Sequence, residues 1–149
     1  MITEALAAYG HFISIFTLLA LLVAEAALYR RTLAESTLTL LRRLDALYLV
    51  AAIAVIATGS ARVFFFAKGA AFYAANPLFW VKMALFLAVG LLSVPPTLHY
   101  IRSAKRLSGG TLVIEDKSYR RIRGCLTAQL LLFALIPLAA TLMARGIGM

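Results

Sequence analysis

The chain has 149 residues, 63% of them hydrophobic and only 14% charged, with a mean hydropathy of +0.93. A domain this small cannot hide so much apolar surface inside itself, which excludes an ordinary soluble protein and makes lipid the expected solvent. The formal net charge of +9 does not point to nucleic acid: the basic residues flank apolar stretches and read as topology determinants lying against anionic headgroups.

The expected fold is all-α, an integral membrane bundle of four helices forming a single transmembrane domain over 1–149. The first span covers about 5–28 and is interrupted by His11 and Glu25. Its start, Met1-Ile2-Thr3-Glu4, carries no basic region, so a cleaved signal peptide is not expected. Arg30-Arg31 closes the span. Thr32 and Glu35 have the spacing of a capping box, which places the start of the second helix there. The apolar part of that helix covers about 44–66, with Asp45 and Arg62 near its two ends.

The connection 64–73 is rich in Phe and suits a short interfacial helix over the mouth of the bundle, or a plain aromatic anchor. Gly69 and Asn76-Pro77 supply its bends. The third span, about 78–101, carries Lys82 early, Pro95-Pro96 late and His99 near its end. The two prolines predict a break, beyond which the direction of His99 is not projected. Ser108-Gly109-Gly110 marks a flexible turn in the long polar loop, and Glu115-Asp116 reads as a cap on a fourth helix. The apolar part of that helix covers about 124–144 and is expected to bend at Pro137. Each stretch is near the roughly 20 residues needed to cross the hydrocarbon.

Orientation follows from the basic residues. Arg30, Arg31, Arg42 and Arg43 crowd the first loop, and Arg102, Lys105, Arg106, Lys117, Arg120, Arg121 and Arg123 the third. The second holds only Lys68, with Arg62 at its margin. The positive-inside rule then places loops one and three in the cytoplasm and both termini on the non-cytoplasmic side. Phe64, Phe65, Phe66, Phe72, Tyr73, Phe79 and Trp80 gather at the outer interface in agreement.

Ionisable groups inside a bilayer are costly and tend to face a bundle interior. Topology sorts those of this chain into two layers: His11, Arg62 and Lys82 near the outer surface, and Glu25, Asp45 and His99 near the inner one. His11 and Glu25 are fourteen positions apart, which at 100° per residue leaves them about 40° apart in azimuth and roughly 21 Å apart along the axis. They share a face, and that face is the interior one. The simplest reading of the inner layer is ion pairing of Glu25 and Asp45 with Arg30, Arg42, Arg43 or Arg102. Ser14, Thr17, Thr58, Ser60, Ser93, Thr97 and Gln129 read as interhelical hydrogen-bonding groups, and Cys125, the single cysteine, as a packing residue.

The outer layer holds a histidine, an arginine and a lysine with no carboxylate among them. Snorkelling of Arg62 and Lys82 to phosphates is one resolution. An anionic ligand is another, and haem b has the right chemistry. A neutral His11 would supply an axial nitrogen, Lys82 a second metal ligand or a charged site residue, and Arg62 a partner for a propionate. No catalytic residue is assigned.

The strings Arg43-Leu44-Asp45-Ala46-Leu47-Tyr48, Ala57-Thr58-Gly59-Ser60-Ala61-Arg62-Val63-Phe64-Phe65, Tyr73-Ala74-Ala75-Asn76-Pro77-Leu78-Phe79-Trp80-Val81-Lys82-Met83 and Ser93-Val94-Pro95-Pro96-Thr97 resemble a family of small bacterial four-helix membrane proteins of unknown function. That resemblance implies a multi-pass protein of the bacterial cytoplasmic (inner) membrane. His11 and Trp80-Val81-Lys82 are also distantly similar to HemJ-type protoporphyrinogen oxidases and CopD-like membrane domains. This second resemblance implies haem b on His11 and Lys82 and an oxidoreductase role with a quinone or porphyrin as partner. Where the oxidases carry arginine and histidine at the end of the first helix, this chain has Glu25 and Arg30. The alternative is a non-enzymatic small transporter, lipid-binding or assembly subunit, in which the buried charges form ion pairs or a proton path through Glu25 and Asp45. A homo-oligomer is compatible with either reading.

Overall fold

A computed structural model describes residues 2–66, 69–107 and 109–147, the side chain of Phe66 excepted. In chain order the elements are helix α1 (Ile2–Leu28), strand β1 (Thr32–Ala34), helix α2 (Glu35–Ala61), a π-helical turn (Arg62–Phe66), helix α3 (Ala70–Ala75), helix α4 (Pro77–Arg106), strand β2 (Thr111–Val113) and helix α5 (Asp116–Ala144). α1, α2 with the following turn, α4 and α5 are each long and apolar enough to cross a membrane. This is a multi-pass, all-α membrane protein.

The helices pack as two antiparallel hairpins, α1 with α2 and α4 with α5; α2 also meets α4, and α1 meets α5, closing the bundle. Large apolar side chains face outward along every span, among them Phe16, Val23, Leu49, Ile53, Leu87, Leu91, Leu131 and Leu138. In water that surface would aggregate; in lipid it is solvated.

The hairpins are also joined outside the apolar region. β1 pairs antiparallel with β2 in the register Thr32↔Val113, Leu33↔Leu112 and Ala34↔Thr111. The Glu35 amide donates to the Gly110 carbonyl at 3.1 Å, and the Ile114 amide to the Arg31 carbonyl at 2.8 Å. Loops one and three therefore lie on one side of the bundle, here termed the sheet end. The other is the terminal end, where the buried Asn76 caps α4 by accepting from the Leu78 amide at 2.9 Å, with Pro77 in the first turn. Its side-chain nitrogen also donates to the Ile147 carbonyl at 3.3 Å, tying down the chain's last described residue.

Several sequence expectations need correction. Thr32 does not cap α2: it pairs with Val113, and the N-cap position is Ala34, which makes no side-chain cap bond. Glu115 likewise occupies the N-cap position of α5 without a side-chain bond. The interfacial segment 64–73 is split between the π-helical turn and α3, with Ala67 and Lys68 outside the described residues. Of the glycine turn, Ser108 also lies outside them; Gly109 and Gly110, at φ of 86° and 94°, adopt the left-handed backbone that leads into β2.

α4 does not break at Pro95-Pro96; it is helical from Pro77 to Arg106. Proline 96 has no amide to offer the Leu92 carbonyl one turn earlier, which would normally leave a buried acceptor orphaned. The Gln129 side chain of α5 fills that role, donating Nε2 to the Leu92 carbonyl at 3.2 Å. Lipid-embedded helices tolerate proline when a neighbour supplies the missing bond, and Gln129 is that neighbour.

Much of the core lies toward the sheet end. Tyr29, Leu33, Leu38, Leu41, Tyr100, Ile114, Ile122 and Leu126 are buried there with Leu22 and Ala26 from α1. α2 and α5 begin well before their apolar stretches, and these extensions build a packed cap together with the sheet. At its surface Arg31 reaches Asp116 at 2.5 Å and lies 5.0 Å from the centre of the Tyr119 ring. Both partners of that ion pair are largely exposed, so its contribution is small, about 0–1 kcal/mol.

Candidate functional sites at the two ends of the bundle

At the terminal end, His11 on α1 is 8% exposed and its ring lies against α2. Thr58 Oγ1 stands 2.6 Å from the Ala54 carbonyl and 3.3 Å from the Val55 carbonyl, so its one proton is directed into its own helix backbone. What it turns toward His11 is a lone pair. His11 Nδ1 lies 3.0 Å from that oxygen, a geometry that suits an Nδ1–H donor, and the ring is also held by the Val55 backbone. Gly59 makes the approach of the two helices possible: a methyl there would sit 3.0 Å from His11 Cε1. One turn of α2 thus orients the ring through Thr58 and makes room for it at Gly59.

Arg62 and Lys82, both half-buried, are close enough to His11 and to each other for their charges to interact. The Arg62 guanidinium also lies 5.8 Å from the centre of the Phe12 ring. The fold brings these three residues together from α1, from the end of α2 and from the start of α4. Around them is a run of ring contacts, Phe72 to Tyr73, Tyr73 to Phe79 and Phe79 to Trp80, with centroids 5.5–5.8 Å apart. The Trp80 indole anchors this run by donating to the Ala74 carbonyl at 3.0 Å.

Toward the sheet end, Glu25 of α1 and Asp45 of α2 face one another across the interior, close enough to interact. They are not ion-paired. Among the described residues the ion pairs are Arg31–Asp116 and Arg120–Asp116, both at the surface. The expected pairing with Arg30, Arg42, Arg43 or Arg102 fails because those side chains lie on exposed positions of the cap, while the two acids point into the bundle. Asp45 Oδ1 is instead 2.7 Å from Thr97 Oγ1. Glu25 Oε1 and the Tyr100 hydroxyl are buried beside each other and interact, without a hydrogen bond of good geometry between them. Tyr48 donates to Gln129 Oε1 at 3.2 Å. Leu22, Glu25, Asp45, Tyr48, Ser93, Pro96 and Gln129 line a narrow crevice with no room for a water molecule.

His99 is not in contact with this acid pair. Its Nε2 lies 3.1 Å from the Tyr29 hydroxyl, with the rings edge to face at 5.7 Å, and Tyr29 stacks in turn on Tyr119. Burial pushes the Tyr29 hydroxyl above the usual phenol range, which leaves it a hydrogen-bond donor at all ordinary pH. Tyr100 touches both groups, its ring 5.9 Å from that of Tyr29 and 6.2 Å from that of His99.

Neither Tyr29 nor Tyr100 stands out in the sequence, because a tyrosine near a span end looks like an interfacial anchor. The polar residues inside the spans were readable as interhelical hydrogen-bonding groups, and Thr58, Thr97 and Gln129 take that part.

Two polar sites in one apolar bundle, with a sequence match along its whole length, place the protein among others. The chain belongs to the family described as "Predicted membrane protein (DUF2214)". The match covers residues 3–148, both sites included. No curated protein and no solved structure matches the chain.

Proposed function

We propose that the terminal end of the bundle binds a b-type haem on His11 and that the protein has a redox role in the bacterial cytoplasmic membrane, with both termini outside. The observation that carries this reading is the buried His11 imidazole held by Thr58 through Nδ1. A histidine held in this way is oriented by its own fold. That is the arrangement by which proteins prepare histidine for a metal, since the second nitrogen's partner sets both tautomer and ring direction. Arg62 and Lys82 supply two positive groups that, among the described residues, are not ion-paired with a carboxylate. A dianionic propionate-bearing ligand would offset that charge: Arg62 suits a propionate, and Lys82 suits either a propionate or the metal.

Bound haem would supply one-electron chemistry. The chain's own residues would orient the ligand through His11 and Thr58, balance charge through Arg62 and Lys82, and limit water entry through the ring contacts at α3 and the start of α4. The distant similarity to HemJ-type oxidases and CopD-like domains, through His11 and Trp80-Val81-Lys82, supports the same assignment and suggests a quinone or porphyrin as electron partner.

The test is an absorption spectrum of protein purified from haem-replete cells. A Soret band is expected, lost in His11→Ala and weakened in Thr58→Val, where the orienting oxygen is gone; removing such a partner typically costs about 10–100-fold in metal affinity. A colourless preparation that takes up no added haem would overturn the proposal.

A further inference from the structure

The Glu25–Asp45 crevice is a second site, distinct in residues from the first and separated from it by about 21 Å along α1. We propose that Glu25 and Asp45 together hold one exchangeable proton, making this crevice a proton-binding site in the interior of the bundle. The starting observation is that Glu25, only 3% exposed, lines the crevice with a carboxyl oxygen that makes no hydrogen bond of good geometry and has the neutral Tyr100 hydroxyl beside it. A carboxylate in that position would be desolvated and unpaired, a state that proteins avoid by keeping the proton on.

Among the described residues no cation is ion-paired with either acid. From α1 the neighbouring titratable group is Tyr29, which faces His99. From α2 come Asp45 itself and Tyr48, whose hydroxyl is directed to Gln129. From α4 come Tyr100, beside Glu25, and His99, which faces Tyr29; Lys82 is at the opposite end. From α5 comes Gln129, which is uncharged, and Arg123, whose guanidinium reaches past to the Ala26 carbonyl and makes no ion pair with Glu25. Two carboxyls side by side without a cation do not both ionise in such a setting.

Thr97 fits the role of a partner that follows the proton. Its hydroxyl has one hydrogen and two acceptors in reach, Asp45 Oδ1 at 2.7 Å and the Ser93 carbonyl at 3.0 Å. With Asp45 ionised, the hydroxyl donates to it. With Asp45 protonated, the carboxyl donates to Thr97, which turns its own hydrogen to Ser93. The balance is one proton gained by the carboxyl pair and one hydroxyl rotated, with no other change. A sodium ion would need five or six oxygen ligands and room among them, and the crevice is too tight to hold even a water molecule.

Infrared difference spectroscopy on the full chain in lipid nanodiscs tests this, because the carbonyl stretch of a protonated carboxyl is resolved from the amide bands and shifts on H/D exchange. Near neutral pH the wild type is expected to show the band, and Glu25→Gln/Asp45→Asn to lack it completely. The other four acidic side chains, Glu4, Glu35, Glu115 and Asp116, are unchanged in the double variant, so any band they give stays in both spectra and cancels in the comparison. Tyr100→Phe keeps both acids and should shift the band frequency, which keeps the proposal testable if the double variant does not fold. Absence of the band in wild type, its persistence in the double variant, or no shift in Tyr100→Phe would each overturn the assignment. Loss of the band when sodium replaces choline at constant ionic strength would overturn it too, in favour of a metal cation. None of these readouts depends on haem, so failure here and failure of the redox proposal are distinguishable.

Discussion

If Gln129 stands in for the amide that Pro96 lacks, its importance must depend on Pro96. Replacing Gln129 by leucine keeps the volume but leaves two buried groups unpaired, the Leu92 carbonyl and the Tyr48 hydroxyl. Each orphaned group costs about 1–3 kcal/mol in a protein interior. In lipid, measured interhelical bonds average roughly 0.6 kcal/mol, because the separated helices find other partners. About 1 kcal/mol per bond is a fair middle value, giving a loss of about 2 kcal/mol for Gln129→Leu. In a Pro96→Ala background the restored amide of residue 96 donates to Leu92 in the ordinary helical way. Only the Tyr48 bond is then lost, and the cost falls to about 1 kcal/mol. The double-mutant cycle therefore has an expected coupling of about 1 kcal/mol, above the few tenths by which independent sites fail to add. Unfolding titrations of the purified protein in mixed micelles provide the four free energies. Equal costs of Gln129→Leu in both backgrounds would refute the substitution of amide for amide, and the continuity of α4 through Pro95-Pro96 would need another cause.

Two further outcomes follow from the packing and the topology. Gly59→Ala should destabilise the α1–α2 contact by about 1–3 kcal/mol, since its methyl would meet the His11 ring at 3.0 Å; unchanged thermal stability would show that the ring moves aside freely. A cysteine placed at the exposed Glu115, in a Cys125→Ala background, should react with an impermeant maleimide only in inside-out vesicles, and one at Ile2 only in right-side-out vesicles. Labelling of both positions from one side would contradict the alternation of the four spans, and the opposite pattern would reverse the orientation.

The four crossings were legible in the sequence because each rests on the transfer of a continuous apolar stretch to lipid, a quantity that adds up residue by residue. The shared face of His11 and Glu25 was legible for a similar reason, since both lie on one regular helix, and both are indeed buried. The sheet between loops one and three was not. Its strands are three residues each, too short for a periodic signal, and are separated by more than 70 positions. The fate of the proline pair was equally hidden, because the residue that rescues the helix lies on a different span.

What the sequence determined alone was the number of crossings, the sorting of basic and acidic groups toward opposite ends of the spans, and the supply of polar side chains inside them. Tertiary structure decided which of those side chains meet. It set the direction of the His11 ring through Thr58, left Glu25 and Asp45 facing each other without an ion-paired arginine, and turned His99 toward Tyr29. The physical reason is that partition into lipid is a property of one segment at a time. A hydrogen bond between helices depends on the azimuth and height of both, and only the packed bundle sets those.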